Sequence, residues 1–152
     1  MKIHSNAIIH PEAIIAKNVE IGPFTVIDKN VRIDEGNVIH NNVTITGNTT
    51  IAKNNVIFPN SVIGAEPQDL KYYGEQSTLI IGSNNVIRES VTINTGTEVG
   101  GGETLIGDNN LFMSCSHIAH DCIVEDNVLL ANGVLLGGHI KVEKHAKVLG
   151  LA

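Results

Sequence analysis

Tryptophan is absent from this chain, and phenylalanine and tyrosine supply only 3 % of its 152 residues. A core without large rings has to be thin, filled by stacked aliphatic side chains. Two cysteines, Cys115 and Cys122, are too few for a disulfide framework and suit a reducing compartment, so a cytoplasmic location is expected. No apolar run approaches the length of a membrane span, and no signal peptide or lipidation motif can be read, so no membrane insertion is expected. Positive charge is scarce as well. Ten Lys and Arg stand against sixteen Asp and Glu, a net charge of −6 at pH 7, which argues against nucleic acid and anionic membrane surfaces as partners.

What the chain has instead is a period. Isoleucine occupies every sixth position from Ile3 through Ile9, Ile15, Ile21 and onward to Ile63. Helices repeat every 3.6 residues and strands every 2, so a strict six marks a hexapeptide-repeat parallel β-helix, in which each repeat supplies one short strand and one corner. Two residues before each isoleucine stands a smaller or β-branched side chain: Ala7, Ala13, Val19, Thr25, Val31, Asn37, Val43, Thr49, Asn55, Ser61. Residues two apart on a strand share a face, so each pair points inward together. Three residues after the isoleucines come Asn6, Asn18, Asn30, Gly36, Asn42, Asn48, Asn54 and Asn60, the residue types that tolerate the left-handed backbone of a sharp corner. A β-sandwich with evenly spaced strands would not hold this phase.

The ladder resumes at Ile81, Ile87 and Ile93, slips by one residue across Thr97–Glu103, and continues from Ile106 to Val148. The expectation is a single all-β solenoid domain over residues 1–152, with loops at about 64–80 and 95–104. Interruptions of a tight repeat are loops thrown out from one face, often the binding face.

The densest chemistry lies at Ser116-His117-Ile118-Ala119-His120-Asp121-Cys122. A carboxylate beside an imidazole orients it and raises its basicity. At three hexads per turn, Asp121 stacks on His139 and His120 on Gly138, with coils about 4.8 Å apart. His117, His120, Asp121 and His139 are therefore expected to form one outward-facing patch, whereas His4, His10, His40 and His145 read as ordinary surface residues. Cys122 falls on a small inward slot and reads as core. Two histidines three apart plus a third imidazole would also suit zinc, as in the β-helical carbonic anhydrases, but that family spaces its paired histidines five apart. No metal is expected here.

These residues carry a family resemblance. Gln68-Asp69-Leu70-Lys71-Tyr72, Ile87-Arg88-Glu89-Ser90-Val91-Thr92-Ile93, and above all His117-Ile118-Ala119-His120-Asp121-Cys122 with Gly137-Gly138-His139, resemble the UDP-N-acetylglucosamine O-acyltransferases. That family performs the first step of lipid A biosynthesis. The resemblance implies a single-stranded left-handed parallel β-helix, assembly as a homotrimer, and no cofactor. It implies transfer of a 3-hydroxyacyl group from acyl carrier protein to the 3-hydroxyl of UDP-N-acetylglucosamine. His120 matches the general base, Asp121 the residue that orients it, and Gly138 the backbone N–H that supports the oxyanion. Glycine opposite His120 is expected to leave room for the reacting carbon. Asp69, Lys71, His117 and His139 match substrate contacts. Asn94 and Thr95 stand where many members have His-Arg, so a histidine contact would become at most an asparagine hydrogen bond. Family members run on for further coils and a C-terminal helical region, absent here, so a shortened polypeptide is expected. Two alternatives remain: an inactive β-helix remnant, and a sister hexapeptide sugar acyl- or acetyltransferase.

Overall fold

The computed structural model describes residues 1–152 and contains strands and turns with no helix. Most strands are two residues long, because a six-residue repeat must spend the rest on its corner. They stack into three parallel sheets, one of eight strands and two of seven, in which each strand pairs with the third one along the chain. Thus Ile3 lies on Ile21, Ile21 on Ile39 and Ile39 on Ile57, eighteen residues apart each time. Each coil is tied to the next by backbone bonds such as Lys2 N–H to Val19 O and His4 N–H to Ile21 O, both 2.9 Å.

The paired inward slots form the core. From Val19 to Leu136 the ladder positions and their smaller partners are buried, whereas in the last coil Ile140 is exposed and Ala146 and Val148 are partly buried. Ile9 and Ile15 are only partly buried, and Ile3 is exposed, because they belong to the terminal coil and nothing stacks beyond them. Each isoleucine sealed inside contributes roughly 1.5–3 kcal/mol. Asparagine in the small slot gains a different role. The Oδ1 of Asn37 accepts from both the N–H and the Nδ2 of Asn55, and Asn55 Oδ1 accepts likewise from Asn85. The chain of bonds continues through Asn85 Oδ1 to Asn110 N–H and from Asn110 Oδ1 to Val128 N–H. A buried amide is costly unless bonded, and successive coils satisfy Asn37, Asn55 and Asn85, whereas the Nδ2 of Asn110, at the end of the chain of bonds, has no partner.

The corners differ in detail from the asparagine pattern. Gly36, Asn42, Asn54 and Asn60 do adopt positive φ, but Asn6, Asn18 and Asn30 turn without it. Asn48 is no corner either. Pairing with Thr78 draws it into the strand Asn48–Ile51, and Gly47 takes the left-handed turn at φ 64°. Phe24, Ser90, Cys115 and Leu151 occupy left-handed corners with no side-chain preference for them. At each, the corner N–H reaches a backbone carbonyl of an adjacent coil, as Phe24 does with Asn6 and Ser90 with Pro59, both at 3.1 Å. Inter-coil hydrogen bonding there outweighs a cost of about 1–2 kcal/mol.

Two insertions break the stack. Ile81 pairs with Ile51, thirty residues away instead of eighteen, and Ile106 pairs with Ile81 across twenty-five. Twelve and seven extra residues leave the coil there. Strands claim Val62–Ala65, Thr78–Ile81 and Glu103–Ile106, so the loops are 66–77 and 95–102, tighter than the sequence indicates. Both are rooted in the stack, and Glu75 Oε1 accepts the N–H of Glu98 at 3.4 Å, tying one loop to the other.

Candidate active site

The chemistry gathers where the second loop meets a corner. Asp121 holds φ at 61°, and the usual corner bond is altered, because the insertion removes the ordinary carbonyl partner. Its N–H donates instead to Thr104 Oγ1 at 2.9 Å. The carboxylate turns inward against the loop and is 1 % exposed. Oδ1 accepts the N–H of Thr97 at 2.7 Å, and Oδ2 accepts the Thr97 hydroxyl at 2.6 Å. The expected outward-facing patch is therefore half right: His120 and His139 reach the surface, whereas Asp121 is buried behind them. Burial pushes the Asp121 carboxyl up, but the bonds from Thr97 and His120 and the field of His139 outweigh it and hold it below the usual aspartate range.

An ionised carboxylate can only accept hydrogen bonds. The 2.7 Å contact between His120 Nδ1 and Asp121 Oδ2 therefore places a proton on Nδ1, so that in the neutral ring the lone pair lies on Nε2. Nε2 lies 3.8 Å from Asp69 Oδ2, in an open groove lined by Gln68, Asp69, Leu70, Lys71, Gly138 and His139. Asp69 is fixed there by the N–H of Lys71 on its Oδ1 at 2.9 Å, and the Lys71 ammonium forms no ion pair. His139 meets His120 edge to face, with ring centroids 5.0 Å apart.

Gly138 stacks on His120 as the repeat requires, but the space it leaves is filled by the imidazole. A Cβ at position 138 would collide with the His120 ring, so this glycine makes room for the base and not for a reacting carbon. Its N–H takes no acceptor within the protein. His117, on the strand His117–Ile118, does not line the groove, and its Nδ1 lies 2.6 Å from Thr92 Oγ1. Asn94 and Thr95 are drawn into the root of the first loop. Asn94 is buried with its Nδ2 on Ala65 O at 3.4 Å and its Oδ1 unpartnered, and Thr95 accepts the Ser77 hydroxyl at 2.9 Å. Asn94 thus does not line the groove with His120. Cys122 is buried, with its thiol pushed up by burial, as an inert core position would be.

His120, Asp121 and His139 are close enough together, within 4.8 Å, to be considered as cation ligands. The 2.7 Å His120–Asp121 separation is a hydrogen bond, and Asp121 already accepts from Thr97. A zinc ion with ligand distances of about 2.0–2.2 Å would have to break that network.

Acid should loosen this corner in two stages. Burial holds the His117 imidazole below the ordinary histidine range, assisted by His120 and opposed by Thr92. The unfolded chain then binds that proton more readily, so the His117 contribution is full above about pH 6.5 and is lost as pH falls through its folded value. The depressed Asp121 contributes fully above about pH 3.9 and is lost below it, the same direction at lower pH. Melting temperature measured against pH is expected to fall in both ranges, and His117→Asn should flatten only the upper one. An unchanged upper leg in that variant would refute the assignment.

Comparison with known proteins separates coil from site. A family model described as the GMPPB C-terminal domain matches residues 3–109, and one described as bacterial transferase hexapeptide (six repeats) matches 103–138. The first ends before His117 and so reports the repeat alone. An acyl-[acyl-carrier-protein]–UDP-N-acetylglucosamine O-acyltransferase of Aliarcobacter butzleri is 54 % identical over 98 % of this chain, histidine cluster included. The chain belongs to the UDP-N-acetylglucosamine O-acyltransferase family. Its counterpart from Sinorhizobium fredii is 45 % identical over the same share. Among solved structures, LpxA from Acinetobacter baumannii superposes with a TM-score of 0.96 at 46 % identity, covering 97 % of this chain and 57 % of that one. The UDP-N-acetylglucosamine acyltransferase from Campylobacter jejuni gives 0.94 at 39 % identity, covering 99 % and 58 %. The fold is that family's left-handed β-helix. This chain spans about half the length of the curated O-acyltransferases it matches, 55 % and 57 % for the two named.

Neither the period nor the motif points to Thr97, Gly100 and Thr104 as part of the site. The available signal is positional. The seven extra residues enter one coil before Asp121, and a threonine opens a glycine run there.

Proposed function

We propose that this chain carries the proton-transfer centre of a UDP-N-acetylglucosamine O-acyltransferase. His120 Nε2 takes the proton of the sugar 3-hydroxyl as that oxygen attacks the thioester carbonyl of a 3-hydroxyacyl carrier protein. Asp121 keeps the ring in the Nδ1–H tautomer and stabilises the imidazolium. The unpaired N–H of Gly138 faces the oxyanion of the tetrahedral intermediate, which collapses with loss of the carrier thiolate. That thiolate recovers the proton from His120. Asp69 suits sugar hydroxyls and Lys71 a phosphate, with His139 in the same groove and His117 outside its lining.

The observation that carries this reading is the short His120–Asp121 bond, with Nε2 left facing the groove. A cytoplasmic homotrimer belongs to the same proposal, because the groove is walled by few residues of one copy. No helix is long and apolar enough to cross a membrane.

Two measurements test it. UDP-N-acetylglucosamine at about a hundred times its Kd should stabilise the protein by about 2.7 kcal/mol. With 3-hydroxyacyl carrier protein added, the 3-O-acylated sugar nucleotide should form. Absence of any melting shift would favour the remnant, and product from acetyl-coenzyme A in place of the carrier protein would favour a sister transferase.

A further inference from the structure

The glycine-rich loop does more than leave the coil: it is moulded on the Asp121 carboxylate. Thr97 gives that group two hydrogen bonds, one from its backbone N–H and one from its hydroxyl. The hydroxyl proton has a fixed direction. Gly100 N–H donates to Thr97 Oγ1 at 3.2 Å, so Oγ1 acts as acceptor on that side and turns its hydrogen towards Asp121 Oδ2. Further bonds hold the turn closed, from Gly102 N–H to Thr97 O at 2.7 Å and from Gly100 N–H to the same carbonyl at 3.1 Å. Gly100 itself lies flat on the carboxylate, and any side chain there would strike the Asp121 carboxyl group.

Thr97, the Asp121 carboxylate and the His120 imidazole form one continuous line of hydrogen bonds, ending at Nε2 in the groove. Both Thr97 and Asp121 are buried, and a buried carboxylate with a missing partner can rotate or take up a proton. Either change removes the acceptor that selects the His120 tautomer.

We propose that Thr97 is a positioning residue for the reaction, acting through Asp121 to hold His120 with its proton on Nδ1. The loop at 95–102 is then part of the proton-transfer apparatus. This inference rests on the acyl-transfer reading only for its kinetic consequence, since the tautomer is a property of the resting protein.

The test compares Thr97→Val, which keeps the backbone N–H and the shape but removes the hydroxyl, with Thr97→Ser, which restores it. Nitrogen-15 chemical shifts of the His120 ring report the tautomer, and steady-state kinetics on the same proteins separate kcat from KM. In Thr97→Val the Nδ1–H form should give way to a mixture of tautomers. Its kcat should fall by about tenfold to a hundredfold, the loss associated with one hydrogen bond to a charged group, with KM for UDP-N-acetylglucosamine held. Thr97→Ser should keep the wild-type tautomer and lie within about threefold of wild-type kcat. A wild-type tautomer in Thr97→Val overturns the proposal. So does a Thr97→Ser protein as impaired as the valine variant, which would indicate loop packing alone. If the wild-type protein transfers no acyl group while Thr97→Val still alters the tautomer, positioning stands and the acyl-transfer reading fails.

Discussion

Replacement of His120 by alanine is expected to lower kcat/KM for acyl transfer by about a thousandfold or more, about 4 kcal/mol of transition-state stabilisation. The sugar hydroxyl is a weak nucleophile until its proton is taken, and Nε2 is the basic atom that the Asp121 bond leaves facing the groove. Asp69 lies 3.8 Å from that nitrogen, but its Oδ1 is engaged by Lys71 N–H, which disfavours it as a base. The fold should tolerate the change. The imidazole sits on the outside of the coil, and Asp121 keeps both Thr97 bonds and its own N–H bond to Thr104 without it. A melting temperature close to wild type, together with loss of product, is the expected pair of results. Undiminished turnover in a folded His120→Ala protein would exclude this imidazole as the base.

The solenoid is legible in the sequence because its physics is one-dimensional. Each inward slot sees the same slot one coil away, so Ile21, Ile39 and Ile57 need the same side chain for the same reason. The asparagine ladder is harder to read. Asn37 and Asn55 occupy slots where Val31 and Val43 also fit, and only the neighbour one coil on shows that an amide there has a partner. Corners are degenerate for another cause. A backbone bond between coils lets Phe24 or Cys115 hold a left-handed φ that composition would reserve for asparagine or glycine.

Stacking by eighteen brings Gly138 and His139 to His120 and Asp121 without a structure, since no insertion separates those two coils. The same counting fails for the loop, because seven added residues break the correspondence between Asp121 and the coil before it. Thr97 thus comes to the carboxylate by the shape of an irregular turn. Burial of Asp121 was invisible for that reason, and so was the withdrawal of Asn94 into the loop root, which depends on Ala65 and the return of the first insertion.

Two adjacent glycines give the sharpest separate test of the geometry. Gly137→Ala adds a methyl group that meets nothing within 4 Å, whereas Gly138→Ala places the same group into the His120 ring. Neither residue has a left-handed φ, so the two substitutions carry no difference in backbone strain. The Gly138 N–H is retained in the alanine variant, which leaves the oxyanion donor formally in place. What changes is the base: the ring, anchored at Nδ1 by Asp121, has to swing away or stretch that bond to escape the new methyl. Displacement of a reacting group by about 1 Å costs about a hundredfold in rate, so Gly138→Ala should lose that much in kcat while Gly137→Ala keeps wild-type turnover. Melting temperatures of the two should stay close, since the ring can yield into the groove. Equal activity of the pair would mean that His120 does not need the position in which Asp121 and Gly138 hold it, and the imidazole would have to act from a different rotamer.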